Sequence, residues 1–568
     1  MKRRFIPALF LILCLLISMA GCGTAAPAPS ETASPSETAA TSSSPEASET
    51  TASSSPEASP TSVFPLSAEP IKLKFVRLSW PDVRPNAGET WTWKNFAKES
   101  NIEIEWEEYP ISSYAETLNL KLASNELPDA YYQMIFSNEQ LIQQSQMGAL
   151  IPMDDLIAEN APNITRMFAD DPSIKQAVTL PDGKVYSLPY VELDKNSAML
   201  RYYINKSWLD EAGLPVPKTI AELDAALAAF KQKDPNRYPI AMGKDQTHLF
   251  HQIFLGAYGI GSRGIQGMSQ WIDQGPDGKV RLYPVDPLYK EWLTQMNQWY
   301  KAGMFHPEYF TTMDVAKWQN LGTQNQVGLY GWVSPNFIGE EAMKSFTGIT
   351  QLEGPHGDKS ISWIDASVRG IWSFMITNQN KYPKETMKWV DYWYGEEGYM
   401  YSAIGQEGVT YQKGASGTYE WMGDVKKSID EKGQQLGAFQ HLERWYGGFE
   451  PQNHGMKVSD ENQKKLYDLK AMLTPEEAQK TYLIDPNDYM NFLPEAIWPS
   501  FIPTAEEATE VGELFTELNT YLLEMETMFI IGKKDLGADW DAYLATVEKM
   551  GGKRYLELKQ QAYDRIMK

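Results

Sequence analysis

The chain has 568 residues and a formal net charge of −23 at pH 7, because 74 acidic residues outnumber 51 lysines and arginines. This balance argues against binding to nucleic acid, to anionic lipid surfaces or to polyanions held over a broad face. The only two cysteines, Cys14 and Cys22, lie at the N-terminus, so disulfides, thiolate catalysis and cysteine-ligated metals are excluded from the rest of the chain.

The N-terminus predicts export. Three basic residues at positions 2–4 precede an apolar run from Phe5 to Ile17. This run is shorter than the roughly 20 residues that span a bilayer, and it is typical of a secretory signal. It is followed by Met19-Ala20-Gly21-Cys22, which resembles a bacterial lipobox with Met where Leu is usual. We therefore expect a signal peptide over 1–21 and lipidation of Cys22; the alternative is an ordinary signal with an incidental cysteine.

A low-complexity segment follows the cysteine. Residues 24–62 contain only Thr, Ala, Pro, Ser and Glu, and Ser-Ser-Ser-Pro-Glu-Ala-Ser occurs twice, at 42–48 and 53–59. Such a segment has no large apolar group whose burial could offset its ordering entropy. We predict a disordered linker over 22–66 that connects the lipid to the folded region.

The folded region begins with alternating strands and helices. Residues 71–78 alternate apolar and polar side chains, as a half-buried strand does, and 91–100 has a helical pattern. A second strand begins at Ile102, a helix covers about 114–124, and a third strand begins near Ala130. This order predicts a parallel α/β sheet with helices on both faces.

Helix start signals recur later in the chain. Thr219 with Glu222 and Thr504 with Glu507 have the spacing of capping boxes, and Gly532 is expected to end the second helix. Helical patterns at 539–550 and 553–567 follow, so the C-terminal third is predicted to be mainly helical.

An ordered set of segments resembles extracellular solute-binding proteins of carbohydrate ABC importers. The resemblance is to the large bacterial lipoprotein branch of the maltodextrin-binding-protein-like superfamily, and it runs from about residue 71 to the end. The segments that carry it are 120–132, 148–157, 182–190, 202–223, 380–392, 395–398, 405–411, 529–532, 540–543 and 562–565.

The resemblance implies a bilobal periplasmic-binding-protein-like α/β fold. Lobe 1 would comprise 69–195 plus 358–412, and lobe 2 would comprise 196–357 plus 413–568. The chain would leave lobe 1 near Glu192–Ser197, return near Gly354–Ile361 and cross again around Tyr411. A ligand between the lobes would favour the closed state.

The same resemblance implies a function. We expect a monomeric, lipid-anchored protein on the extracytoplasmic face of a Gram-positive cell membrane, which passes a ligand to ABC importer permeases without a cofactor and without catalysis. The 18 Trp and 30 Tyr residues suit an oligosaccharide, because aromatic rings stack on the apolar faces of sugars.

Candidate ligand-binding residues are taken from loops after strands and near the expected crossings, because ligands in open α/β sheets lie beyond the carboxyl ends of strands. Trp80, Trp332 and Tyr446 are the preferred stacking platforms, although each Trp could equally be a packing residue. The full set is Trp80, Gln133, Trp332, Trp363, Asp365, Arg369, Trp372, Trp445 and Tyr446.

Three alternatives remain open. A secreted polysaccharide-degrading enzyme would need paired carboxylates, but Glu340-Glu341 and Glu396-Glu397 have the pattern of solvated helix surfaces. A metal receptor could use His248 and His251, one helical turn apart, and a peptide could replace the sugar.

Some larger relatives carry a calcium loop after the helix that here ends near 233, but 234–239 has too few oxygen ligands, so no metal is expected there.

Overall fold

The computed structural model describes residues 64–79, 85–193, 201–241, 252–261, 270–313, 315–332, 338–362, 364, 366–442, 453–454, 456–472, 474–477, 486–494 and 501–566. No helix within these ranges is both long enough and apolar enough to cross a membrane.

The strands lie in two larger sheets and two hairpins. They are β1 (Ile71–Ser79), β2 (Ile102–Pro110), β3 (Ala130–Tyr132), β4 (Leu188–Glu192), β5 (Arg201–Asn205), β6 (Tyr238–Ile240), β7 (Ile272–Gln274), β8 (Val280–Leu282), β9 (Val327–Trp332), β10 (Phe346–Ile349), β11 (Val368–Ile376), β12 (Tyr411–Lys413), β13 (Tyr419–Trp421) and β14 (Asn453–His454).

The first sheet has the order β14-β4-β11-β3-β1-β2. β1 pairs in parallel with β2 and β3, as predicted. The expectation of a wholly parallel sheet is wrong at β11, which lies antiparallel between β3 and β4. The reason is topological: β11 enters this sheet from the second one, so no crossover helix imposes a parallel direction on it.

The second sheet has the order β10-β5-β9-β6. β6 and β9 are parallel, whereas β5 is antiparallel to both β9 and β10. The hairpins are β7–β8 and β12–β13.

The helices include those that the sequence predicts. They are α1 (Trp91–Ser100), α2 (Tyr114–Ala123), α3 (Asn138–Gln146), α4 (Asp154–Asn160), α5 (Pro162–Asp170), α6 (Pro172–Val178), α7 (Lys206–Ala212), α8 (Ile220–Lys233), α9 (Pro287–Lys301), α10 (Val315–Thr323), α11 (Glu340–Met343), α12 (Pro383–Trp393), α13 (Glu396–Ile404), α14 (Gly423–Lys432), α15 (Gln434–Leu442), α16 (Asp460–Asp468), α17 (Pro486–Met490), α18 (Ala505–Ile530), α19 (Trp540–Lys549) and α20 (Gly552–Ile566). Both capping boxes form, at the starts of α8 and α18.

Each large sheet has its own hydrophobic core. The core of the first sheet includes an aromatic cluster in which Trp93 stacks on Trp389 at 5.4 Å and Phe96 lies 4.5 Å from Trp393, centroid to centroid. The core of the second sheet combines β5 and β9 with α9, α18 and α20. The predicted bilobal α/β class is therefore confirmed.

Two connections carry the chain between strands of the two large sheets. The first passage lies between Glu192, which ends β4, and Arg201, which begins β5. The second lies between Ile349, which ends β10, and Val368, which begins β11.

The third crossing does not lie at Tyr411, contrary to what the resemblance implies. Tyr411 begins β12 and packs with Tyr419 in a small cluster formed with α13 and α16. Farther along, the Oγ1 of Thr92 on α1 donates to the carbonyl of Leu442 at 2.6 Å, and β14 pairs with β4. Among the described residues after 412, α15 and β14 thus contact elements of the first sheet's side, whereas α18 packs in the second core.

A buried carboxylate joins α12 to the start of α5. Asp391 Oδ1 accepts from the amide of Ile164 at 2.8 Å, and its Oδ2 accepts from Nδ2 of Asn163 at 3.0 Å. Asp391 therefore caps a helix from a neighbouring helix. Burial raises the pKa of Asp391 to about 6, although the hydrogen bonds from Ile164 and Asn163 and the charge of Arg166 oppose this shift.

This raised pKa predicts a pH-dependent stability. Folding favours the protonated carboxyl, so the contribution is fully present below the unfolded pKa near 4 and is lost as pH rises through about 6. The thermal unfolding midpoint (Tm) of wild type should fall, relative to that of Asp391→Asn, between pH 4 and 7. The change corresponds to roughly 2 kcal/mol. Parallel Tm curves for the two proteins would contradict the assignment.

Candidate functional site

The strand directions place several polar residues on one edge of the first sheet. β1, β3 and β4 run parallel and end at Ser79, Tyr132 and Glu192, while the antiparallel β11 begins at Val368 on the same edge. Ligands of open α/β sheets bind beyond this edge. Both passages to the second sheet also start or end here.

Gln133, directly after β3, has a strained backbone at this edge. Its φ is 51°, in the left-handed region that a residue other than glycine seldom adopts. Its amide donates to the carbonyl of Ser373 at 2.7 Å, and its side chain is 0% exposed. Such strain costs about 1 kcal/mol or more and is concentrated at functional sites, which favours the sequence-based choice of Gln133.

Arg77 is a functional candidate that the sequence interpretation missed. Its side chain is 1% exposed and lies 5.7 Å from the ring of Trp106 and 5.6 Å from that of Tyr132. It also contacts Glu108 at 3.9 Å and Oε1 of Gln133 at 3.5 Å. The sequence contains a pattern that identifies Arg77: the alternation of β1 puts it in phase with the inward-facing apolar residues of the strand. A charged side chain at such a buried position needs polar or charged partners.

The second sheet presents a matching edge. Arg201, at the start of β5, pairs with Trp332, at the end of β9, and Gln351 follows β10 by two residues. Arg201 is 0% exposed. Its guanidinium carbon lies 5.2 Å from the ring centre of Tyr489. Trp332 is buried, and its ring lies 5.5 Å from that of Trp318.

Tyr489, on α17, contacts each of the passages between the sheets. It stacks under Arg201 at the end of the first passage, and its hydroxyl donates to the carbonyl of Ile349 at 2.8 Å, at the start of the second. It packs with Ile361 and Ile364 within the second passage. Burial raises the pKa of Tyr489, whereas the charge of Arg201 acts in the opposite direction. Tyr489 therefore joins the start of β5, the end of β10 and the second passage.

The predicted site residues are distributed unevenly over the structure. Gln133 and Arg369 lie on the edge of the first sheet, and Trp332 lies on the edge of the second. Trp372 is inside β11, where its ring is buried in the first core instead of lying on a loop. Trp80, Trp363, Asp365, Trp445 and Tyr446 lie outside the described residues, as do Cys22, His248 and His251.

The turn at 234–239, where no calcium is expected, is contacted by the charged group of Lys231 and carries that of Arg237. The ammonium group of Lys231 donates to the carbonyls of Pro235 and Arg237 at 2.7 and 3.1 Å. The guanidinium of Arg237 lies 4.3 Å from the ring of Trp208 and pairs with Glu211 at 2.6 Å. Elsewhere in the described ranges, no group of three or more His, Cys, Asp or Glu residues could hold a metal ion.

Comparison with known proteins agrees with this architecture. A family model described as bacterial extracellular solute-binding protein matches residues 91–426. The fructooligosaccharide ABC transporter substrate-binding protein FusA of Streptococcus pneumoniae is 27% identical over 523 residues, covering 88% of this chain and 91% of FusA. The polygalacturonan/rhamnogalacturonan-binding protein YtcQ of Bacillus subtilis is 26% identical over 356 residues, covering 59% and 67%.

The fold is also found among solved structures. The structure of Streptococcus pneumoniae FusA in complex with kestose has a TM-score of 0.66 and 24% identity, and the match covers 88% of this chain and 99% of that one.

Proposed function

Because the chain belongs to the bacterial extracellular solute-binding protein family, we propose that it captures an oligosaccharide between its two lobes for an ABC importer. The observation that carries the proposal is the pair of sheet edges, one with Arg77 and Gln133 and the other with Arg201 and Gln351, joined by the passages that Tyr489 connects. A saccharide that touches both edges favours the closed arrangement of the lobes by its differential affinity.

The proposed ligand class follows from relatives and from chemistry. FusA is named for fructooligosaccharides, and YtcQ for polygalacturonan and rhamnogalacturonan. Guanidinium and amide groups donate several hydrogen bonds in fixed geometry, as hydroxyl-rich or carboxylate-bearing sugars require. The residues predicted from the sequence, Trp80 and Gln133 among them, remain the proposed contacts, except Trp372, whose ring packs in the first core. Arg77, Arg201 and Gln351 are added to them.

The proposed lobes keep most of the expected division. Lobe 1 comprises 69–195 and 358–412 and also takes residues 413–472, because β14 and α15 contact the first sheet and α1. Lobe 2 comprises 196–357 and the chain from α18 onward. Closure by rotation about the passages would create a new surface that the permeases recognise.

Thermal unfolding with candidate sugars tests the proposal directly. The full chain should be stabilised by kestose or by trigalacturonate, by about 2.7 kcal/mol when the ligand is at 100 times its dissociation constant (Kd). Maltotriose and a tripeptide are matched controls of similar size. Absence of any stabilisation across saccharides, or a response to the peptide alone, would contradict an oligosaccharide ligand.

We also propose that the protein binds its ligand without cleaving it. The relatives are transport proteins. Glu396 is not the solvated surface group expected: its Oε1 accepts from the amide and hydroxyl of Ser459 at the start of α16, so this carboxylate links two helices. Incubation of the protein with a panel of polysaccharides should therefore release no reducing sugar. Release of reducing ends would identify a hydrolase or lyase instead.

Anchoring through Cys22 is proposed from the sequence alone. Cys22→Ser should release the protein from the cell surface. Serine at this position is not lipidated, so no acyl group inserts there into the membrane. Fractionation of cells into membrane and medium measures this, and Cys14→Ser serves as the control. Retention of the Cys22 variant in the membrane fraction would contradict lipidation at this position.

A further inference from the structure

Gln351 lies where the ends of three neighbouring strands meet. Ile349, at the end of β10, pairs with Tyr202, and Arg201, at the start of β5, pairs with Trp332, at the end of β9. Continuing the antiparallel register past Ile349 puts Thr350 opposite Arg201, so Gln351 lies one residue beyond the start of β5. Gln351 therefore belongs to the edge of the second sheet from which the chain returns to the first.

The side-chain amide of Gln351 is a buried donor. The residue is 3% exposed, and Nε2 has no hydrogen-bond acceptor within the described part of the chain. Leaving a buried amide without a partner is destabilising, because its hydrogen bond to water is lost and not replaced. Native proteins keep few such groups, and each one calls for an explanation.

The backbone around Gln351 is held firmly. On one side, the carbonyl of Ile349 accepts from the hydroxyl of Tyr489 at 2.8 Å. On the other, Leu352 is fully buried, and the amide of Glu353 donates to the carbonyl of Lys218 at 2.9 Å. A donor on fixed backbone loses little entropy when it binds, which is the arrangement expected of a preorganised binding group.

We propose that Gln351 contacts the ligand and donates from Nε2 to a hydroxyl or carboxylate oxygen of the bound saccharide. This inference rests on the proposed function, and it assigns the unsatisfied donor to the closed, liganded state. The unsatisfied amide lowers the stability of the free protein, and its hydrogen bond to the saccharide then contributes to the affinity for the ligand.

The assignment predicts opposite effects on stability and on binding. In the full chain, Gln351→Leu should leave the Tm of the free protein unchanged or raise it, because a buried unsatisfied amide is removed. The same variant should weaken binding of kestose or trigalacturonate, whichever wild type binds, by at least tenfold. Gln351→Glu should weaken trigalacturonate more than kestose, since it replaces the donor by a carboxylate.

A matched control is available on α20. Oε1 of Gln561 also lacks a partner in the described part of the chain, but α20 packs on β8 and α18 and lies away from the sheet edges. Gln561→Leu should leave the Kd at the wild-type value.

Two results would overturn the assignment. A Gln351→Leu variant with wild-type Kd would show that the donor does not face the ligand, while the proposed function would stand. A marked fall in the Tm of the free variant would show that the amide has a structural role. If wild type binds neither sugar, the proposed function fails for these ligands. The Tm of free Gln351→Leu then still shows whether the side-chain amide of Gln351 lacks a hydrogen-bond partner in the free protein.

Discussion

Gly354→Ala is expected to lower the Tm by roughly 6 °C, because the second passage between the sheets has no room for a methyl group. A Cβ atom on Gly354 would lie 1.5 Å from the carbonyl oxygen of Ala257, in the 3₁₀ helix Ile253–Tyr258. The obstacle is backbone, so the passage itself must move. Overpacking of this kind costs about 3 kcal/mol at the upper end of its usual range.

The 3₁₀ helix and the second passage are in close contact at more than one point, so the two segments cannot easily move apart to make room for a methyl group. A Cβ on Gly256, in the same 3₁₀ helix, would lie 1.9 Å from the carbonyl oxygen of Ser360. The Oγ of Ser362 donates to the carbonyl of Ile253 at 2.6 Å. Because the helix and the passage are joined at both ends, displacement at Gly354 should also shift Gln351 and weaken ligand binding.

Gly357→Ala is the matched control, three residues farther along the same segment. Gly357 has a φ of 88° and no atom within 4 Å of a built Cβ. Alanine at this position destabilises the protein only because it must adopt the left-handed backbone conformation, which costs about 1–2 kcal/mol. Calorimetric Tm values and Kd values for both variants decide the matter: equal Tm losses, or unchanged ligand affinity in Gly354→Ala, would contradict the tight passage.

Local patterns were sufficient to predict the elements whose causes are local. The alternation in β1 and the Thr504–Glu507 spacing before α18 depend on residues within one or two turns of each other, so both could be identified in the sequence. The parallel pairing of β1 with β2 follows from the helix between them. Each of these predictions rests on a rule with a range of a few residues.

The features that the sequence interpretation missed depend on distant partners. The antiparallel placement of β11 and the pairing of β14 with β4 join residues far apart in the chain, and no local pattern encodes them. Arg77 could have been found from its phase in β1, but Gln351 could not, because it lies two residues beyond the end of β10, where no periodic pattern marks it as buried. The proposed site combines the edges of two sheets, so a pattern within a few residues of the sequence cannot identify all of its members.

Arg281→Met should be the most destabilising of the charge removals, because Arg281 joins two carboxylates at the edge of the second core. Its guanidinium binds both oxygens of Asp273, at 2.9 and 2.6 Å, and Oδ2 of Asp286 at 3.1 Å. It also donates to the carbonyl of Gly259 at 2.7 Å. The Asp273 side chain is wholly buried, so removing the arginine takes the opposite charge away from a carboxylate that water does not reach, at a cost of about 3–5 kcal/mol.

A surface pair of the same geometry provides the control for Arg281. Arg554 binds both oxygens of Glu510, at 2.7 and 2.8 Å, but both side chains are about half exposed. Arg554→Met should cost below about 1 kcal/mol, because water replaces the lost partner. The double variant Arg281→Met/Asp273→Leu should recover most of the lost stability, since it removes the stranded charge together with its partner. Calorimetric Tm values measure all three variants. Equal losses for Arg281→Met and Arg554→Met, or a double variant less stable than the single one, would show that burial does not govern the strength of this network.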